Sequence, residues 1–276
     1  MHIERAGRAL QTAAMTQQQI RFDNGEAYEL YMGRWSQLVA AAFLDWLKPV
    51  NGLRLLDVGC GNGAFTEFFA TRCAPASVSG IDPSGPMLDF ARTRPALRDA
   101  DLRQGDAMAL PFGDRVFDLT VMPLVLFFVP EPARGVAEMA RVVRPGGAVC
   151  AYSWDMDGGG FPYAVLRAEL EQMGVRTPSA PSEEASRQDV SRRLWETAGL
   201  VDVQTHSLTV QRTYASFDEY WNIVCGGPSV GNTIKGLPPE QSALLQQRLK
   251  DHFPADTRGQ ITYSSTANAV LGRVPG

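Results

Sequence analysis

Apolar and polar positions along this chain of 276 residues follow two alternating periods. Short segments that read as strands stand at 53–58, 77–81, 100–104, 116–122 and 147–153, the first two built on the apolar stretches Leu53 to Val58 and Val78 to Ile81. Between them, apolar residues recur at three- and four-residue spacing and predict helices over 64–73, 84–93 and 131–143. Strand–helix alternation with short joins predicts an α/β fold with a doubly wound, parallel sheet. After Asp155 the pattern loosens. A flexible run, Met156 to Gly160, precedes a helix near 161–173, and residues 176–184 are rich in Pro and Ser. A further helix over 187–198 closes on Gly199 as a C-cap. Two late segments, 200–212 and 260–270, alternate as strands do. About 45 residues separate them, with helices expected near 216–224 and 239–252, which is too long for a turn and predicts a functional insertion. Gly226, Gly227 and Gly231 are its expected hinge.

The segment with the most chemistry is Leu-Leu-Asp-Val-Gly-Cys-Gly-Asn-Gly at 55–63. It joins the first strand to the first of those helices. Gly59, Gly61 and Gly63 permit a tight turn and let a ligand approach the backbone, beside the unpaired N–H groups of a helix N-terminus. The same residues fit the loose dinucleotide pattern through Gly59, Gly61 and Ala64. A pyrophosphate there would lie close to Asp57, which is unfavourable. A cationic ligand suits Asp57 better.

The segment resembles the first motif of class I S-adenosylmethionine-dependent methyltransferases, Asp-x-Gly-x-Gly-x-Gly. The likeness continues through Asp82-Pro-Ser-Gly-Pro-Met-Leu, Gln104-Gly-Asp-Ala, Leu110-Pro-Phe, Phe117-Asp-Leu and Arg144-Pro-Gly-Gly, from about Phe22 to Asp155. In flavour it is nearest the type 11 enzymes, which include quinone-biosynthesis methyltransferases. The resemblance implies a mostly parallel seven-stranded sheet with an antiparallel edge, helical lid insertions, and S-adenosylmethionine as cofactor. It implies that Asp82 accepts from both ribose hydroxyls, an ionised carboxylate having two acceptor oxygens for two vicinal donors. Met87 would lie on the adenine, and Asp106 would meet its amino group. Cys60, Pro83, Gly105, Ala107 and Met122 complete the implied cofactor contacts. Each has a plainer reading: Asp82 as a helix cap, Asp106 as a turn residue, Met87 as core.

Composition narrows the class. A net charge of −4 and a pI near 5.5 argue against a nucleic-acid footprint. Cys60, Cys73, Cys150 and Cys225 match neither a zinc pattern nor a disulfide framework, so a reduced, cytoplasmic protein without a metal is expected. No run is long enough for a membrane span. Residues 1–21 are read as a tail, 22–50 as a helical cap, 51–155 as the cofactor-binding core, and 156–276 as the remaining sheet with substrate-side helices and a lid over about 214–256. In the cap, Arg34 is placed to pair with the cofactor's methionine carboxylate and Tyr31 to donate to it. The plainer reading has aromatics packing on the sheet and Arg34 solvated.

The expected reaction is in-line methyl transfer to an O, N or C atom of a small organic acceptor, which needs alignment and exclusion of water rather than a triad. His206, His252 and Asp155 are the candidates for a base, with ordinary structural roles for the histidines the plainer reading. The loop after the fourth strand, Met122-Pro-Leu-Val-Leu-Phe-Phe-Val, is apolar and suits an apolar or aromatic acceptor. Tyr214, Phe217, Tyr220 and Trp221 of the lid are expected to wall that acceptor. Two other classes stay open: an NAD(P)-dependent oxidoreductase, and a non-catalytic cofactor-binding module.

Overall fold

The strands of the computed structural model, which describes residues 29–227 and 230–276, are β1 (Arg54–Val58), β2 (Ser77–Asp82), β3 (Asp101–Gln104), β4 (Phe117–Pro123), β5 (Val143–Trp154), β6 (Val201–Tyr214) and β7 (Ile261–Arg273). They form one sheet in the order β3-β2-β1-β4-β5-β7-β6. Pairing is parallel from β3 through β5, while β7 runs antiparallel to both β5 and β6. This is the doubly wound sheet with an antiparallel edge that the sequence predicts. The expected tail at 1–21 and residues 22–28 of the cap lie outside the described residues, as does Pro228 beside the expected hinge.

Alternation along the buried strands sends successive side chains to opposite faces. Leu55, Leu119, Val121, Cys150, Tyr152 and Trp154 share one core. Onto that face pack helices α1 (Arg34–Leu47) and α2 (Ala64–Cys73), through residues such as Phe43, Phe65 and Phe69. Leu56, Val58, Val149 and Ala151 share the other core with α4 (Pro132–Val142), while α3 (Gly85–Arg92) packs Leu88 and Ala91 near β3. A π-helical turn, Glu29–Gly33, leads into α1. The later helices are α5 (Ala164–Gln172), α6 (Gln188–Thr197), α7 (Phe217–Gly226), α8 (Gly231–Lys235) and α9 (Pro239–His252).

Three expectations change. The expected gap between the helix at 131–143 and the strand at 147–153 is closed, because Arg144-Pro-Gly-Gly is a bulge inside β5: Phe117 pairs with Val143 but Leu119 with Ala148. Gly231 opens helix α8 instead of hinging a loop, because a Cβ there would meet the Cys225 carbonyl at 2.5 Å in a close helix–turn contact. The insertion is also placed differently. β5 ends opposite Ala267, but the β6–β7 pair runs on to Tyr214 opposite Ile261. That projecting hairpin presents an apolar face, against which α1 and α7 pack. Tyr214 and Tyr220 are each 1% exposed, and the Trp35 indole N–H donates to the Tyr214 hydroxyl (3.1 Å). The insertion's aromatics are consumed by this packing.

Candidate active site

The carboxyl ends of β1, β2, β4 and β5 meet at one rim, and a cleft of about 720 Å³ opens there. Open α/β sheets bind ligands at this position. At one end of the cleft, the turn after β1 is held from behind. The N–H groups of Gly59 and Cys60 both donate to the Ile81 carbonyl (2.7 and 3.0 Å). Gly61 has φ +52, and its N–H donates to Asp82 Oδ2 (2.8 Å), while Ser84 N–H donates to Oδ1 (2.8 Å). Asp82 is thus fixed with one backbone donor on each oxygen, and each oxygen keeps further acceptor capacity. Burial raises its pKa above the usual carboxylate range, against the pull of those two N–H bonds. Ser84 also caps α3, accepting from Met87 N–H (3.4 Å).

The three glycines serve different ends. A Cβ on Gly59 would lie 2.5 Å from Val125, and one on Gly63 2.8 Å from Leu97. A Cβ on Gly61 would meet only the Met87 methyl (3.5 Å) and Asp82 Oδ2 (4.0 Å), so it would project into cleft space.

Asp57 is fully buried and does not line the cleft. Its Oδ2 accepts from Thr66 Oγ (2.6 Å) and its Oδ1 has no partner. Burial pushes its pKa up to about 7; the Thr66 bond opposes this, and the Asp82 charge adds to it. A second brace joins the turn to the N-terminal residues. Arg94 donates to the Asn62 carbonyl (2.6 Å), to Glu67 (2.6 Å) and to Glu29 (3.2 Å), and Asn62 also donates to Glu29 (2.9 Å). Sequence reading missed Arg94, Glu29 and Thr66. Only Thr66 left a trace, nine residues after Asp57 on the face of α2 that turns to the sheet.

Of the expected cofactor contacts, the cleft brings together Tyr31, Gly59, Cys60, Gly61, Asp82, Pro83 and Met87. Tyr31 is buried and stacks on Tyr163 (ring centroids 4.3 Å), whose hydroxyl donates to the Tyr31 carbonyl (2.6 Å). Gly63, Gly105, Asp106, Ala107, Met122 and Arg34 do not line it. Asp106 is exposed and accepts from Met108 N–H (2.8 Å). Met122 points to the opposite core, and Arg34 is exposed at the start of α1.

The far end of the cleft is apolar. Phe127, Phe128, Trp154, Phe161 and Ala180 line it, with Arg167 and Glu183 paired at 3.2 Å. Leu124, also on the cleft, has φ +61, unusual for a branched side chain, and its N–H donates to the Tyr152 carbonyl (2.7 Å). The wall expected from 214–256 is therefore corrected: among the described residues of that segment only Val230 reaches the cleft, and residues within 123–130 and 152–183 supply the wall. The candidate bases lie elsewhere. His206 is exposed and stacks on Trp46 (5.5 Å, 8°), and His252 bonds Glu169 (2.9 Å). Asp155 faces a separate surface hollow and accepts from Gly158 N–H (3.0 Å).

Residues 56–151 match a family model described as a methyltransferase domain. The chain is 30% identical over 179 residues to a demethylmenaquinone methyltransferase of Staphylococcus aureus, covering 58% of this chain and 72% of the relative. It is 37% identical over 110 residues to the ubiquinone/menaquinone biosynthesis C-methyltransferase UbiE of a Ruegeria species, covering 38% and 44%. The chain spans about half or less of the length of several curated relatives it matches. In fold it is similar to the YcgJ protein of a Bacillus, with a TM-score of 0.59 at 19% identity over 86% of this chain and 98% of that one.

Proposed function

The chain belongs to the class I S-adenosylmethionine-dependent methyltransferases, and from that premise we propose that it transfers a methyl group from S-adenosylmethionine to a small apolar, ring-bearing acceptor. The observation that carries this reading is the single cleft with two unlike ends: a backbone-lined polar end at Gly61 and Asp82, and an aromatic end at 127–183.

The polar end fits the cofactor. Asp82, with one N–H on each oxygen, has acceptor capacity left for two adjacent hydroxyls. The open space beside Gly61 admits a ligand against the backbone. The unpartnered Oδ1 of Asp57, behind the same turn, favours positive charge in front of it. The bound cofactor supplies a methyl group already made electrophilic by a sulfonium. The residues of the chain then have two tasks. The Gly59–Gly63 turn and Asp82 fix the donor end, and Phe128, Trp154 and Phe161 exclude water and hold the acceptor's flat body against it. The quinone relatives' names agree with a ring-bearing acceptor, and the apolar run 122–129 suits one.

The test is calorimetry with S-adenosylmethionine, S-adenosylhomocysteine, NAD and NADP, followed by transfer of labelled methyl to a panel of hydroquinones, phenols and amines. Binding of the first pair alone, with label entering a ring-bearing acceptor, is the expected result. Tighter binding of either dinucleotide would overturn the cofactor assignment. Binding without transfer to any panel member would favour a non-catalytic module.

A further inference from the structure

Among the described residues that line the cleft, three carry charge: Asp82, Arg167 and Glu183. Asp82 belongs to the cofactor end. Arg167 and Glu183 stand in the aromatic end, where desolvated charge is costly unless it is used or neutralised. The pair is unlike a purely structural one. Arg167 reaches Glu183 through a single contact, Nη2 to Oε1 at 3.2 Å, rather than the two-point fork that guanidinium and carboxylate form at their strongest. Glu183 Oε1 is also shared with the Ala180 N–H (3.1 Å). A guanidinium has five N–H donors, and only one is engaged here among the described residues. Its side chain is only 17% exposed, and the Phe161 ring lies against it (6.0 Å from Cζ to the centroid). A partly buried cation with spare parallel donors, beside aromatic walls, matches an apolar molecule that ends in a carboxylate.

We infer that Arg167 anchors an acidic group on the methyl acceptor, so that the substrate class is an amphipathic acid: an apolar or aromatic body between Phe128, Trp154 and Phe161, with a carboxylate on the Arg167 fork. Glu183 holds the guanidinium in place from one side and discriminates against a second negative group. This rests on the reading of the cleft as a donor–acceptor site.

The experiment is calorimetry on the protein saturated with S-adenosylhomocysteine, titrated with a graded series of ω-phenyl carboxylates from 3-phenylpropanoate to 6-phenylhexanoate and with the matching amides. At least one acid is expected to bind tenfold or more tighter than its amide. Arg167→Gln should bring that acid down to the amide's affinity and leave the amide unchanged. Arg167→Lys, which keeps a point charge without the fork, should fall between. Glu183→Gln, which keeps Arg167 and removes its competitor, should strengthen acid binding threefold or more. A pair that merely staples residues 178–183 to α5 predicts the opposite: Arg167→Gln and Glu183→Gln would weaken acid and amide alike. That result overturns the inference, as does a series in which acids and amides bind equally or no member binds. Failure of S-adenosylhomocysteine itself to bind would instead bring down the reading of the cleft, and this inference with it.

Discussion

The two ends of the cleft are built by different physics. The polar end is made of backbone: Gly59, Cys60 and Gly61 amides bound to Ile81 and Asp82, with little side-chain volume. The aromatic end is made of side chains from three separated stretches, 123–130, 152–161 and 178–183, with Arg167 of α5 beside them. A site that presents backbone is rigid and demands particular residues at fixed spacing. A site walled by large apolar side chains is specified by volume, and many residue combinations supply the same volume. The same asymmetry predicts where substitution separates cofactor binding from acceptor binding.

The largest break belongs to the polar end. Gly61→Val is expected to abolish measurable cofactor binding. Its branched Cβ meets no protein atom closer than 3.5 Å and therefore occupies the ligand's space, and it also opposes φ +52. Near-normal titration of the folded variant would show that the turn does not touch the ligand. Asp82→Ala comes next. Hydrogen bonds to a charged group are worth roughly 1.5–3 kcal/mol each, so losing two should weaken S-adenosylhomocysteine by about two to four powers of ten. The variant also leaves Gly61 N–H without its acceptor, so affinity should fall further than for Asp82→Asn, which keeps one carbonyl oxygen. Calorimetry on both variants, with circular dichroism to confirm the fold, checks the order.

This contrast also explains what the sequence could tell. Asp57, Gly59, Gly61 and Asp82 were legible because turn geometry and a strand end need those residue types at those positions. The strands were legible too: β1, β2, β4 and β5 from their apolar residues, β6 and β7 from alternation, and β3, where only Leu102 is buried, from its place in the strand–helix order. The acceptor wall was not. Tyr214 and Tyr220 carry the same apolar signal as Phe128 and Phe161, and only the length of the β6–β7 pair decides that the tyrosines cover a projecting hairpin instead of the cleft. The Arg94–Glu29 brace left no trace either, since 65 residues separate its ends. The histidines were rare enough to draw attention, yet His206 and His252 serve contacts with Trp46 and Glu169.

At the aromatic end, single truncations should be milder and should leave the cofactor untouched. Phe128→Ala removes apolar wall worth roughly 1.5–3 kcal/mol when buried. An increase of about tenfold in acceptor KM is expected, with S-adenosylhomocysteine affinity unchanged within twofold. Phe217→Ala, in the insertion, should leave acceptor KM unchanged and lower only the melting temperature. An equal rise in acceptor KM for both would return the insertion to the acceptor site.

The smallest effect concerns a proton at the polar end. Asp57 titrates near pH 3.8 in an unfolded chain but near 7 in the folded one, chiefly because it is fully buried. The folded state therefore holds the proton more tightly, and Asp57 costs stability progressively as pH rises from about 4 to 7, with the cost constant above that. A cation bound in front of the turn favours the ionised form and lowers this pKa. Binding below pH 7 must then release a proton, so cofactor affinity should rise with pH by at most tenfold per unit and level off above about 7. Two buffers of different ionisation heat would measure the released proton at pH 6. Asp57→Asn keeps an acceptor for Thr66 but cannot titrate; it should flatten the profile and raise stability at pH 8 relative to pH 5. The Asp82 carboxylate, also raised by burial, remains in that variant, so any slope that survives there is its own. A wild-type affinity that is flat from pH 5.5 to 7.5 would remove Asp57 from cofactor recognition and leave it as a buried partner of Thr66 alone.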